Sequence, residues 1–170
     1  AERRERHLGP AWGAARVRGT RFNDGALLER MVGRGVRPKG DWSLAHAVPV
    51  DVSAPEVGDL EIGDSTARYS FPFGISVNRD GERFVDEGEK LAPFAYSELG
   101  RRILKEPGSV AFQVFDATTT SLLEPRYATG SPIVADTIEE LEKGMALPEG
   151  SLVRTVADYN AACTGEAGDP

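Results

Sequence analysis

The sequence predicts an α+β fold, a small mixed sheet or hairpin with several flanking helices. Three observations predict it. The run Tyr69–Asn78 is β-prone and closes in the turn tetrapeptide Asn78-Arg79-Asp80-Gly81. Apolar residues recur at helical spacing at Leu27, Leu28, Met31 and Val32, and again at Leu152, Val153, Val156 and Tyr159. Finally, 19 glycines and 11 prolines in 170 residues demand many turns. This length supports one domain with a real core, and 40% apolar with 28% charged residues is ordinary for a soluble globular chain. Residues 1–22 read as a leader or linker, and 23–170 as one α+β domain.

In chain order, residues 1–22 show no period and read as coil or short helix running into an extended piece, Val17–Phe22. Asn23 and Asp24 suit the cap of a helix over Leu27–Val32, which Gly33 and Gly35 end. Asp41–Val50 reads as strand-like around Trp42, Leu44 and Val48, and 51–67 as a long Pro/Gly/Asp-rich loop. Tyr69–Asn78, the turn, and a return strand Glu82–Asp86 make a hairpin. Pro93 opens a helix with Leu99, Ile103 and Leu104 inward, closed by Pro107-Gly108. Ser109–Phe115 alternates like a strand. Asp136 with Glu139 suggests a capping box, and a last helix follows Pro148, carrying its apolar spacing to Cys163.

The net charge of −7 is unevenly spread. Residues 1–40 hold ten basic against four acidic residues (+6), and the remainder ten against twenty-three (−13). The basic arm suits an anionic ligand or an acidic neighbour, or simply faces water. Nucleic-acid binding is not expected, because the chain is acidic and its aromatics are not interleaved with the basic residues. No apolar run is long enough to span a membrane, and AERRERHLG lacks an apolar signal core. With one cysteine, Cys163, these features suggest a cytoplasmic setting. The sequence begins at Ala1, which reads as a processed chain or an excised piece.

The chemical tool kit is small. Two histidines, His7 and His46, and one cysteine exclude a multi-histidine or thiolate metal site, so no metal is expected. There is no G-x-S-x-G elbow, no Walker loop and no G-x-G-x-x-G phosphate cradle.

An ordered series of short pieces nevertheless resembles one family. Gly19-Thr20-Arg21-Phe22-Asn23-Asp24-Gly25 is similar to an "N-T-G-D-G" helix entry, and Trp42–Ala47 to a "Q-x-H-P" strand. Val77–Glu87 resembles "V-N-R-x-G-x-R-F-x-x-E", and Ala111–Asp116 resembles "A-Y-x-I-F-D". Thr137–Leu141 and Thr155–Asn160 are similar to "T-I-E-E-L" and "T-V-x-x-Y-N". Together they resemble the fumarate reductase/succinate dehydrogenase flavoproteins, nearest the tricarballylate dehydrogenase-like branch, over about residues 9 to 162.

The resemblance implies the substrate-capping part of an FAD-dependent dehydrogenase or reductase acting beside a carboxylate or ketone. It implies that His46 and, more loosely, Thr66 contact substrate, and that Asp24 and Gly25 contact FAD. It implies as partners a small carboxylate or keto substrate and an FAD-binding domain that this chain lacks, so the chain alone is expected neither to keep FAD nor to turn over. It is also expected to self-associate through the apolar face its neighbour would cover. Two departures stand out. The family's proton-transferring arginine has no counterpart between Arg83 and Arg101, leaving Lys90 or Tyr96 as substitutes, and Ala67 and Ser70 occupy the places of an upstream relay pair. These losses leave open the alternative of a non-catalytic binding domain with the same fold.

Overall fold

A computed structural model describes residues 2–163. The described residues form an α+β fold of five α-helices and one two-stranded sheet: α1 Glu2–Leu8, α2 Ala26–Gly33, β1 Ile75–Val77, α3 Ala92–Ile103, β2 Phe112–Val114, α4 Ile138–Gly144 and α5 Ser151–Ala162. Short 3-10 turns and long loops connect them. The sheet is antiparallel, with Ile75 opposite Val114, Ser76 opposite Gln113 and Val77 opposite Phe112. Alternation puts Ile75, Val77, Phe112 and Val114 against α4 and α5, where Met145 and Leu152 complete the core. Ser76 and Gln113 take the other face.

Several expected strands are shorter than the sequence suggests, each for a local reason. Within Tyr69–Asn78, Pro72 supplies no N–H and sits in a 3-10 turn, Phe71–Phe73, so pairing begins only at Ile75. The return arm Glu82–Asp86 is not a strand and keeps one bridge, Val77 to Arg83. The Glu87 carboxylate accepts the Ser76 N–H that a returning backbone would otherwise take. Asp41–Val50 is likewise not a strand. Asp41 Oδ1 captures the Ser43 N–H at 2.9 Å and folds the chain into a turn. Only Val50 pairs, through a bridge to Ala67.

Helix caps also shift. The N-cap of α2 is Gly25, left-handed at φ 82°, while Asp24 Oδ1 accepts the Ala26 N–H at 2.9 Å. Gly35 (φ 91°) closes the helix, with Val36 N–H donating to the Met31 carbonyl at 3.1 Å. At α4 the box is one residue later than expected: Thr137 Oγ1 accepts the Glu140 N–H, and Glu140 returns to the Asp136 N–H. Leu27, Leu28 and Met31, apolar positions at helical spacing, are 74%, 53% and 44% exposed. Within 1–22, α1 leads into a 3-10 turn, and Val17 forms a parallel bridge to Val57.

A buried carboxylate joins the last two helices. Glu142 is 5% exposed, and its oxygens accept the N–H groups of Gly150 and Leu152, both at 2.7 Å, at the start of α5. Burial pushes its pKa up, but these backbone donors outweigh burial and hold it below the ordinary glutamate value. Its stabilising effect is therefore complete above the unfolded value, about 4.3, and is lost as pH falls through the folded one. Glu142→Gln is expected to lower Tm at neutral pH, with the gap to the parent narrowing in acid. A gap that stays constant from neutral to acid pH would contradict this reading.

Candidate functional site

The described residues surround a broad trough of about 2030 Å³. Its walls come from residues 14–22, 45–52, 109–115 and 130–135, the 58–64 loop, and the inner side of α3. One wall carries a run of aromatic rings with polar tips. His46 and Tyr96 meet edge to face at 5.2 Å between ring centroids, and Tyr96 meets Tyr69 at 4.9 Å. Their juxtaposition has a backbone cause: Gly100 lets α3 lie directly on the Ala47–Val48 peptide, bringing Tyr96 to His46.

Beyond Tyr69 the wall becomes charged. Arg18 Nη1 donates to the Tyr69 hydroxyl at 3.0 Å. The Arg126 guanidinium lies over the Tyr69 ring at 5.1 Å, and Asp64 bridges Arg18 and Arg126. Burial raises the Tyr69 phenol above its ordinary value, opposed by Arg18, so it remains a protonated donor near neutrality. Among the described residues, no acceptor takes the Tyr69 hydroxyl proton, and His46 and Tyr96 make no side-chain hydrogen bond.

Tyr127 provides the contrast. Its hydroxyl donates to Gln113 Oε1 at 2.6 Å and accepts the Ser70 N–H at 2.9 Å. Burial pushes it up to about 12. Beside it Arg68, 8% exposed, bonds to Asp51 and to three backbone carbonyls. Both groups have their hydrogen-bonding capacity engaged within the protein and act as structural ties.

The candidate residues from the sequence separate into two places. His46 lines the trough, whereas Thr66, Asp24 and Gly25 do not. Thr66 uses its carbonyl to accept the Asp51 N–H at 2.8 Å. Asp24 caps Ala26 and pairs with Arg3 at 3.4 Å, and these two partners, Ala26 first, hold its carboxyl below the ordinary range. With Asp24 so engaged and no glycine-rich phosphate cradle, the residues present do not fit FAD as a group held by this chain alone. Of the two suggested substitutes for the missing arginine, Lys90 is tied to Glu98 at 2.7 Å outside the trough, and Tyr96 is inside it. Tyr69 and Arg126 are not among the sequence candidates, and Arg18 figures there only within the basic arm suited to an anionic ligand. Tyr69 meets Arg18 across 51 residues and Arg126 across 57, separations that no short motif encodes.

The hairpin motif proves to be largely architectural here. Asn78 Oδ1 accepts the N–H groups of Asp80 and Glu82, Gly81 adopts φ 75°, and Arg83 forks onto Glu87 at 2.8 and 2.6 Å. Among the described residues there is no group of three or more His, Cys, Asp or Glu side chains placed to hold a metal ion. No helix among them is long and apolar enough to cross a membrane.

No family model matches the chain. An NADH:acrylate oxidoreductase of Vibrio harveyi is 32% identical over 121 residues, covering 70% of this chain and 12% of that protein. The matched segment is thus a small part of the relative's length.

Proposed function

We propose that this chain is the substrate-capping part of an FAD-dependent oxidoreductase that acts on a carbon–carbon bond next to a carboxylate or ketone. The observation that carries the reading is the wall of unspent donors, His46, Tyr96 and Tyr69, along one side of the trough. Such a wall suits the oxygens of a small organic acid, since a carboxylate accepts several hydrogen bonds and gains most from charge-assisted ones. The name of the Vibrio harveyi relative, an NADH:acrylate oxidoreductase, includes a small organic acid of this kind. The flavin belongs to the remainder of a longer polypeptide, with Asp24 and Gly25 at its border. That remainder also covers the exposed Leu27, Leu28 and Met31 side chains of α2. His46 binds a substrate carboxylate; the cap contributes orientation and exclusion of water.

A second reading, a binding module without chemistry, is favoured by one observation: Lys90, the cation nearest the place of the missing arginine, is committed to Glu98 and lies outside the trough. Purification separates the two. The 170-residue chain is expected to be colourless and inactive, whereas a polypeptide joining it to a flavin-binding portion is expected to carry flavin absorbance. That polypeptide should oxidise a reduced dye with acrylate, fumarate or a related unsaturated acid or ketone. A yellow preparation of the chain alone overturns the division of labour, and a flavin-loaded polypeptide silent across the substrates overturns the reaction class.

A further inference from the structure

We infer that Tyr69 and Arg18 together form an oxygen-binding corner of the trough that takes the carboxylate of a small organic acid. The inference rests on the proposed function for its ligand class and adds residues that reading does not require. Tyr69 accepts a hydrogen bond from Arg18 at 3.0 Å, so the lone pair facing Arg18 is used while its proton is free. A phenol held by a guanidinium in this way is polarised towards donation, because the cation withdraws electron density from the hydroxyl oxygen.

The ring has little freedom to turn away. Arg126 covers one side at 5.1 Å and Tyr96 contacts it at 4.9 Å, so the hydroxyl is presented by packing from two directions. A preorganised donor binds an oxyanion without first losing rotamer entropy. Asp64 pairs with both Arg18 and Arg126, and Glu124 pairs with Arg126 at 3.2 Å, so two carboxylates fix the two guanidiniums and offset their charge. The corner is consequently a directional donor pair, suited to a single carboxylate group with its one negative charge, and less suited to a group such as hydrogen phosphate that concentrates two charges at one point. His46 stands two rings away on the same wall.

The test titrates the 170-residue chain with acrylate, fumarate and inorganic phosphate while following the ring resonances of His46, Tyr69 and Tyr96 by NMR. Tyr69→Phe keeps the ring, and with it the packing against Tyr96 and Arg126, and deletes only the hydroxyl. Saturable shifts with acrylate or fumarate are expected, with affinity at least about tenfold weaker in Tyr69→Phe, the effect of losing one hydrogen bond to a charged group. Equal affinity in parent and Tyr69→Phe overturns the inference and leaves the proposed function standing. Absence of any saturable shift at Tyr69 also overturns it, while the proposed function is decided by the flavin content and turnover of the longer polypeptide. Phosphate binding as tightly as the carboxylates overturns the ligand assignment.

Discussion

Replacing Arg68 by leucine is expected to destabilise the fold by about 3–5 kcal/mol, the range for removing one partner of a buried ion pair. The guanidinium side chain is 10% exposed and donates to Asp51 Oδ2 from Nε and Nη2 at 3.2 and 2.9 Å. Its Nη1 serves the carbonyls of Ser65, Ala67 and Arg126 at 3.2, 3.0 and 3.1 Å. Nη2 reaches the Thr129 hydroxyl, and the Tyr127 ring lies beneath the group at 5.1 Å. One side chain therefore stitches the 51–67 loop to the 125–129 turn. Leucine would match the apolar stem but leave the Asp51 carboxylate and three carbonyls facing an apolar tip. A urea titration reads the loss directly. Asp51→Leu added to Arg68→Leu should recover part of it, because removing both charges removes the unpaired one. A loss below about 1 kcal/mol, the size of an exposed pair, would mean that the cluster is solvated and structurally idle.

The α3 and α5 helices were legible because their signals are local. Pro93 can start a helix without wasting an N–H, and Leu99 and Leu152 fall on faces that become 1% and 0% exposed. The strands were read too long because β-propensity reports a half-buried pleat, and pairing needs a partner at matching register. Glu87 and Asp41 each replace backbone pairing with a side-chain acceptor, a competition invisible in hydropathy. On α2 the helical spacing was correct, but spacing cannot say what covers a face, and Leu27 remains 74% exposed. The capping box lies one residue later because two acidic residues follow Ile138 and Thr137, not Asp136, is the N-cap, its hydroxyl accepting the Glu140 N–H.

The site divides along the same line. His46 was found as one of only two histidines, and the trough includes it. The motif series directed attention to Asp24, Thr66 and the hairpin, whose roles in the described chain are capping, loop pairing and turn architecture. Tyr69 escaped notice because it gains its character from Arg18, 51 positions earlier, and from Arg126, 57 positions later. A tyrosine in a β-prone run is otherwise an ordinary packing residue.

Gly100 connects fold to site, and its replacement by valine is expected to remove both stability and ligand response. A Cβ at this position would stand 2.6 Å from the carbonyl carbon and oxygen of Ala47 and 2.7 Å from the Val48 nitrogen. Those atoms are backbone and cannot rotate aside, so α3 must move off the 45–50 segment. Over-packing of this kind costs about 1–3 kcal/mol, more than the roughly 1 kcal/mol that glycine gives up as a helix former. Even Gly100→Ala should therefore destabilise, against its propensity. Gly33, also in a helix but with nothing within 4 Å of its would-be Cβ, supplies the control, and Gly33→Ala should be neutral or stabilising. Because Gly100 follows Tyr96 by one helical turn, displacement of α3 pulls Tyr96 from His46, whose rings now sit 5.2 Å apart. Loss of the cross-peaks between those rings, together with weaker carboxylate binding, is the expected NMR result. If Gly100→Val kept both the ring contact and full stability, the close seating of α3 on the Ala47–Val48 peptide could not be what assembles the wall.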